Sequence, residues 1–365
     1  MGARYRAVLV GCGPRGRRHA HALLANAERF ELAAVCDLDP DRCATLAAEL
    51  GVARTYSDAD HMLAAERPDV LVFATPPAVR EALVELGIRH AVKAIACEKP
   101  LACSLGEARR IVNRCAATGV RGVVCHQLRH GAHWLRVKEA VETGALGTVR
   151  LVHATARPSM LRVGTHLVDA MLWLTGGGPA AGVLGQAHGH AGFADDHPGP
   201  DHLAGVVELA DGVRGLLEVG SLAPRLLPDA DFWGDVAVTV VGSHGHARVV
   251  LGGGWEVVTA RGARTAGGPD TAPHEARHLA LLADWLDDPA AVHPASFAAS
   301  YHGLEVLLGL ALSSLEHRRV ALPIENHGDD ILQRLERLLA RAEHDSRPEG
   351  SAAEPGRGDG TPRGA

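Results

Sequence analysis

The chain has 365 residues, of which 47% are hydrophobic, and a formal net charge of −6. That length accommodates two cores, and an acidic balance with scattered basic residues excludes a nucleic-acid-binding footprint. No apolar run reaches the roughly eighteen residues of a membrane helix, and the first strand begins without a secretory leader, so a cytoplasmic protein is expected.

Tyr5–Val10 is apolar and β-prone, and it leads into Gly11-x-Gly13-x-x-Gly16-x-x-His19. A helix is predicted from about Gly13 to Ala25, then a strand over Leu32–Cys36 closed by Asp37. Pro40 suits the first turn of the next helix, which runs to about Leu50. Val70–Ala74 is a further apolar strand, followed by Thr75-Pro76-Pro77 and a helix over 79–86 that should stop at Gly87. Ala94–Cys97 is a strand, Ser104-x-x-Glu107 is a capping box before a helical pattern at 105–117, and Val120–Cys125 closes the unit. Short, fully apolar strands between helices predict a buried parallel sheet.

The character changes near residue 126. A helix over 133–143 ends at Gly144, strand signals follow at Val149–Thr155, and a helix is expected around 166–174. Leu203–Ala210 and Val213–Val219 flank Asp211-Gly212, a strong hairpin signal. Val236–Val241 and Ala247–Leu251 flank a second turn at Gly242–Gly245, and helices return at 274–287 and 297–317. The fold class is therefore α/β: a buried parallel sheet between helices over residues 1–125, then a mostly antiparallel sheet with helices on one face over 126–344. Residues 345–365 are Gly/Pro/Ser-rich and are expected to be a disordered tail.

Seven cysteines fall in the first 125 residues without any C-x-x-C pair, which reads as a reduced set of buried thiols. His126, His130 and His133 have helix-like spacing, have no carboxylate partner, and are assigned to a surface face. His188, His190, Asp195, Asp196, His197, Asp201 and His202 crowd one loop. Both groups contain metal-ligand types, but a solvated or substrate-facing role is preferred and no metal is expected.

The glycine run has the context that a dinucleotide site needs, because a strand precedes it and a helix follows. Gly11 permits the tight turn, Gly13 lets backbone approach a pyrophosphate, and Gly16 allows close helix–strand packing. Asp37 lies about twenty residues further on, where an acid accepts from the ribose hydroxyls. Its charge repels a 2′-phosphate, so NAD is expected rather than NADP. Glu98-Lys99-Pro100 then closes an apolar strand and puts an ammonium near the nicotinamide end of the site.

These motifs resemble the glucose–fructose oxidoreductase/inositol dehydrogenase family (Gfo/Idh/MocA), which implies a doubly wound Rossmann domain followed by an α/β domain with an open sheet. The matching stretches are Gly11–His19, Ala74-Thr75-Pro76-Pro77, Glu98–Ala102, Gly164-Thr165-His166-Leu167-Val168-Asp169 and Arg318–Pro323. The resemblance implies that Gly11, Gly13, Pro14, Arg15, Gly16, Asp37, Thr75, Pro76, Glu98 and Lys99 hold the cofactor. It implies that His166 is the base and that Lys99 binds the reacting oxygen, with Asp169, on the same helix face, either orienting the base or contacting substrate. Gln127, Arg129, Arg162 and Thr165 would join Lys99 and His166 on the substrate. Two departures stand out: Arg162 replaces a common acid, and Arg80 stands where a His is common. Arg162 is expected to read an acidic substrate, to turn away and pair with Asp169, or to point to solvent. The implied activity is NAD-dependent oxidation of a sugar, aminosugar or cyclitol by a homodimer or homotetramer. A redox-neutral enzyme with retained NAD and a non-catalytic sensor remain open as alternatives.

Overall fold

A computed structural model of the chain describes residues 2–227, 232–325 and 329–345. The tail assigned to 345–365 lies outside them, apart from Asp345, which closes the last helix.

The first sheet contains β1 (Tyr5–Val10), β2 (Phe30–Cys36), β3 (Thr55–Tyr56), β4 (Val70–Phe73), β5 (Ala94–Cys97) and β6 (Arg121–Val124). Its order is β3-β2-β1-β4-β5-β6, and every pairing is parallel. Strand order reverses beside β1, and the glycine loop leaves the end of β1 at that crevice, where ligands bind in doubly wound sheets. The connecting helices are α1 (Pro14–Leu24), α2 (Pro40–Leu50), α3 (Ala59–Glu66), α4 (Arg80–Arg89) and α5 (Leu105–Thr118). Their ends follow local chemistry. Asp39 caps α2 by accepting from the amides of Asp41 and Arg42, and Ser104 caps α5 by accepting from that of Glu107.

Gly87 does not end α4, which runs on to Arg89. Its missing side chain is a packing device: a Cβ there would lie 3.0 Å from Ile95 and 3.2 Å from Leu71. The short β3 and α3, which carry no sustained periodicity, were not foreseen.

The second sheet has nine strands, among them β7 (Val149–Ala156), β8 (Gly182–His188), β9 (His202–Glu208), β10 (Arg214–Gly220), β11 (Val236–Gly242) and β12 (Gly245–Val250). β13 (Gly254–Thr259), β14 (Arg264–Gly267) and β15 (Val320–Ala321) complete it. Only β7 and β10 run parallel, and the remaining pairs are antiparallel. Alternate side chains face a core under α7 (Thr165–Leu174) and α9 (Phe297–Glu316): Val152 and Ala154 are buried, while Leu151 and His153 are half-buried. α6 (Ala132–Glu142) covers the β12–β13 end.

α8 (Glu275–Asp287) follows β14 in sequence but packs on the first sheet. Leu279, Leu282 and Ala283 share one apolar cluster with Leu9, Leu23 and Val72. The Tyr5 hydroxyl donates to Asp287 at 2.7 Å, and Arg29 pairs with Asp284 at 2.9 Å and Asp287 at 2.8 Å. The chain ends its described course in α10 (Ile331–Asp345), packed on α9.

Candidate active site

Gly11 adopts φ +92°, and a Cβ there would lie 2.6 Å from the Ala74 carbonyl. A Cβ on Gly16 would sit 1.7 Å from the Gly11 oxygen, so α1 starts against the loop only because that atom is missing. Gly13 differs, because nothing lies within 4 Å of its hypothetical Cβ, which leaves room for a ligand against the backbone. The Asp37 carboxylate ties this loop to β2, accepting from the amides of Cys12 at 2.6 Å and Asp39 at 2.9 Å. Its remaining lone pairs suit ribose hydroxyls. The Thr75 hydroxyl beside Gly11 is buried without a protein partner, as a group awaiting a ligand would be. Pro14 and Arg15 are exposed on the first turn of α1, and Pro76 is exposed after β4.

These glycines differ in a way that can be measured. Gly13→Ala is expected to leave the melting temperature near wild type while weakening NAD binding about tenfold or more, since it fills the phosphate approach. Gly16→Ala is expected to lower the melting temperature itself, because the new methyl collides with backbone. Thermal melts with and without NAD check both.

Glu98 and His19 form a buried pair with Nε2 and Oε1 3.1 Å apart. Burial alone would raise the Glu98 carboxyl, but His19, Arg15 and Lys99 outweigh it and hold it well below the usual carboxylate range. Lys99 follows at a cis Lys99-Pro100 bond, and its ammonium donates to the Arg162 carbonyl at 2.9 Å. Burial pushes Lys99 down to about 8, against the pull of Glu98. Arg80 braces this segment from below: it is 2% exposed and donates to the carbonyls of Thr75 at 3.0 Å and Lys99 at 3.1 Å.

The second sheet's contribution begins at a π-helical turn, Met160–Gly164, that runs into α7. His166, in the first turn of α7, is buried, and its ring meets that of His126 edge-on at 5.4 Å between centroids. Burial, then the neighbouring His126 and Lys99, hold its imidazole well below the ordinary value and therefore neutral. Thr165 is buried with its hydroxyl free of protein partners.

Asp169 does not pair with Arg162. It takes a two-pronged bond from Arg129, whose Nε lies 2.9 Å from Oδ2 and whose Nη2 reaches Oδ1. His126 Nδ1 lies 3.3 Å from the same Oδ1. Burial would raise the Asp169 carboxyl, and Arg129 and His126 override it downward. Arg129 is itself buried, with its guanidinium over the Trp173 ring at 5.7 Å. Gln127 is buried beside Cys125. The Arg162 fork instead binds Asp195, with Nη2 2.6 Å from both carboxylate oxygens, and reaches Asp196 at 2.9 Å.

His126 and His133 are buried and His130 is half-buried, so they form no surface face. The cause is α8, which lays His278 against His130 at 6.2 Å and sets His274, just before its first turn, against His133 at 6.4 Å. Sequence reasoning also missed Glu275. It is buried where α8 starts and lies 3.8 Å from Arg15 and 3.7 Å from Arg18, and no local pattern marks it.

Residues 5–126 match the profile described as "Oxidoreductase family, NAD-binding Rossmann fold", and residues 134–248 match the GFO/IDH/MocA C-terminal domain. The chain belongs to the Gfo/Idh/MocA oxidoreductase family. The D-apiose dehydrogenase of Paraburkholderia graminis is 37% identical over 145 residues, which cover 40% of this chain and 38% of that relative. The chain thus spans well under half the length of that relative. The inositol 2-dehydrogenase of Ralstonia nicotianae is 27% identical over 324 residues, covering 81% of this chain and 85% of its own. Among solved structures, an oxidoreductase from Agrobacterium radiobacter in complex with NAD+, L-tartaric acid and magnesium superposes with a TM-score of 0.76 at 21% identity. It covers 87% of this chain and 98% of that one. A levoglucosan dehydrogenase in complex with NADH and L-sorbose gives 0.73 at 16% identity, over 88% of this chain and 100% of that one. These two structures establish the shared fold. Among the described residues, no helix of this family member is long and apolar enough to cross a membrane.

Proposed function

We propose that the chain is an NAD-dependent dehydrogenase acting on a secondary alcohol of a sugar or cyclitol. One observation carries the reading: Lys99, at the end of a Rossmann strand, donates to the Arg162 carbonyl, four residues before the buried, neutral His166. A proton acceptor and a cation are thereby gathered beside the crevice that takes the dinucleotide. Bound NAD supplies the hydride acceptor. His166 takes the hydroxyl proton, and Lys99 steadies the charge that develops on the oxygen. Asp169 acts at one remove by fixing Arg129 and His126 around the base. The names of the apiose and inositol dehydrogenases support a polyol substrate. Assaying NADH formation on a panel of sugars, aminosugars and cyclitols tests the reading, and a wild-type enzyme that reduces NAD with none of them would overturn it.

The preference for NAD over NADP rests on Asp37. An Asp37→Ser/Leu38→Arg double substitution removes the carboxylate and adds a guanidinium on the exposed side chain next to it, so preference should move toward NADP. Titrations with both cofactors check this, and wild type binding NADP more tightly would count against it. The half-buried face of the nine-stranded sheet supports assembly as a homodimer or homotetramer, and sedimentation measures that. The seven unpaired cysteines support a reducing, cytoplasmic location.

A further inference from the structure

We propose that His197 touches the substrate, presenting Nε2 as an uncharged acceptor to the hydroxyl next to the carbon being oxidised. The inference rests on the dehydrogenase reading and narrows its substrate to vicinal diols.

The first support is the state of the ring. His197 Nδ1 lies 2.6 Å from Asp196 Oδ1. A carboxylate can only accept there, so Nδ1 carries the proton and Nε2 keeps its lone pair. That nitrogen is not sealed in, as both ring nitrogens of His126, His133 and His278 are, and 12% of the side chain stays accessible. The carboxylate on Nδ1 thus fixes the tautomer that leaves Nε2 free to accept.

The second support is how the loop is held. Asp195 accepts from the His197 amide at 2.8 Å, and Asp201 accepts from the amides of Gly192 at 2.6 Å and Ala191 at 3.3 Å. A Cβ on Gly199 would come within 2.9 Å of Met160, so the loop lies flat on the π-helical turn. Arg162 clamps it from that turn by binding both Asp195 and Asp196. The same residue receives the Lys99 ammonium on its carbonyl at 2.9 Å. One residue therefore sets the position of the lysine with its backbone and that of the Asp196–His197 pair with its side chain. Burial, with Lys99 adding to it against the pull of Asp196, lowers the His197 imidazole, which favours the uncharged ring.

The third support is charge. The guanidinium of Arg162 is matched by two carboxylates and is not left open for an anion. The formal charges of Arg162, Lys99, Asp195 and Asp196 cancel, so this side of the cleft suits a neutral polyol better than a sugar acid. With Lys99 on the reacting oxygen and His197 beside it, adjacent hydroxyls meet one donor and one acceptor.

The test uses the full chain with myo-inositol, D-glucose and D-xylose as diol probes and cyclohexanol as the mono-alcohol. His197→Phe is expected to lose about 10²-fold in kcat/KM on the best diol, because the substrate hydroxyl is left buried without its acceptor. It should keep its NAD affinity, which also shows that it is folded, and should not lose further on cyclohexanol. His197→Gln offers an amide oxygen near the Nε2 position and should recover to within about tenfold of wild type. If His197→Phe oxidises the diol at the wild-type kcat/KM, or His197→Gln is as poor as His197→Phe, the inference falls and the dehydrogenase reading stands. If wild type reduces NAD with no probe and no other polyol, the dehydrogenase reading falls and takes the inference with it.

Discussion

Lys99→Ala and His166→Ala should each lower kcat by about 10²–10⁴ while NAD still binds. Neither side chain holds the glycine loop, whose amides bond to Asp37 and to the Cys36 carbonyl, so cofactor binding is separable from turnover. The two losses should not multiply in the double variant, since both groups serve one proton-transfer step. The pH profile adds a second reading. His166 is held neutral by burial and stays in its proton-accepting form across the ordinary assay range. Lys99, pushed down to about 8, loses its charge as pH rises through that value, so kcat should turn down there. Lys99→Arg should remove that alkaline limb, because a guanidinium does not deprotonate. A His166→Ala enzyme with near-normal kcat would remove the base from the scheme, and His126 would be the neighbour to examine.

Stability should collapse on mild acidification. His166, His278 and His293 are at most 5% exposed, and burial depresses all three, with His293 pushed down to about 3. Folded, they stay neutral, whereas in the unfolded chain they titrate near about 6.5. Below that pH the unfolded state binds protons that the folded state cannot, so stability falls as pH falls. Three such groups give a slope of about 4 kcal/mol per pH unit. Starting from an ordinary reserve of about 5–15 kcal/mol, the fold should fail within one to a few pH units below about 6.5. Above that pH the same groups contribute no dependence. Urea midpoints measured from pH 8 to 5 check the slope, and a flat midpoint over that range would show that these rings are not buried neutral. His278→Gln should reduce the slope by about one proton.

The parts of this molecule that could be read from the sequence are those fixed by neighbours in the chain. Gly11, Gly13 and Gly16 do what a strand–loop–helix turn requires, and Asp37 reaches that loop because β1 and β2 are adjacent. The Asp211-Gly212 hairpin and the Ser104 cap are equally local. What escaped was set by distant segments. The partner of Arg162 is a pair of aspartates more than thirty residues on, and sequence cannot tell which carboxylate a long side chain will meet. His130 and His133 looked solvated because their cover is the start of α8, well over a hundred residues away, and His126 because its cover is His166 and Asp169 of α7. Gly87 read as a helix stop because a glycine required for packing and one required for a left-handed turn are the same letter.

The docking of α8 has a consequence for how the chain matures. Leu279, Leu282 and Ala283 fill the core beside Leu9, Leu23 and Val72, so the nucleotide-binding sheet keeps an open apolar side until those residues arrive. During synthesis, about 150 residues separate the last strand of that sheet from the helix that covers it. The ribosome therefore delivers nearly the whole second sheet while the first is still incomplete. Domains generally fold as they emerge, but here the first waits for the second. A nascent chain arrested before residue 275 should be open to proteases at the face where α8 belongs, and one released past residue 290 should not.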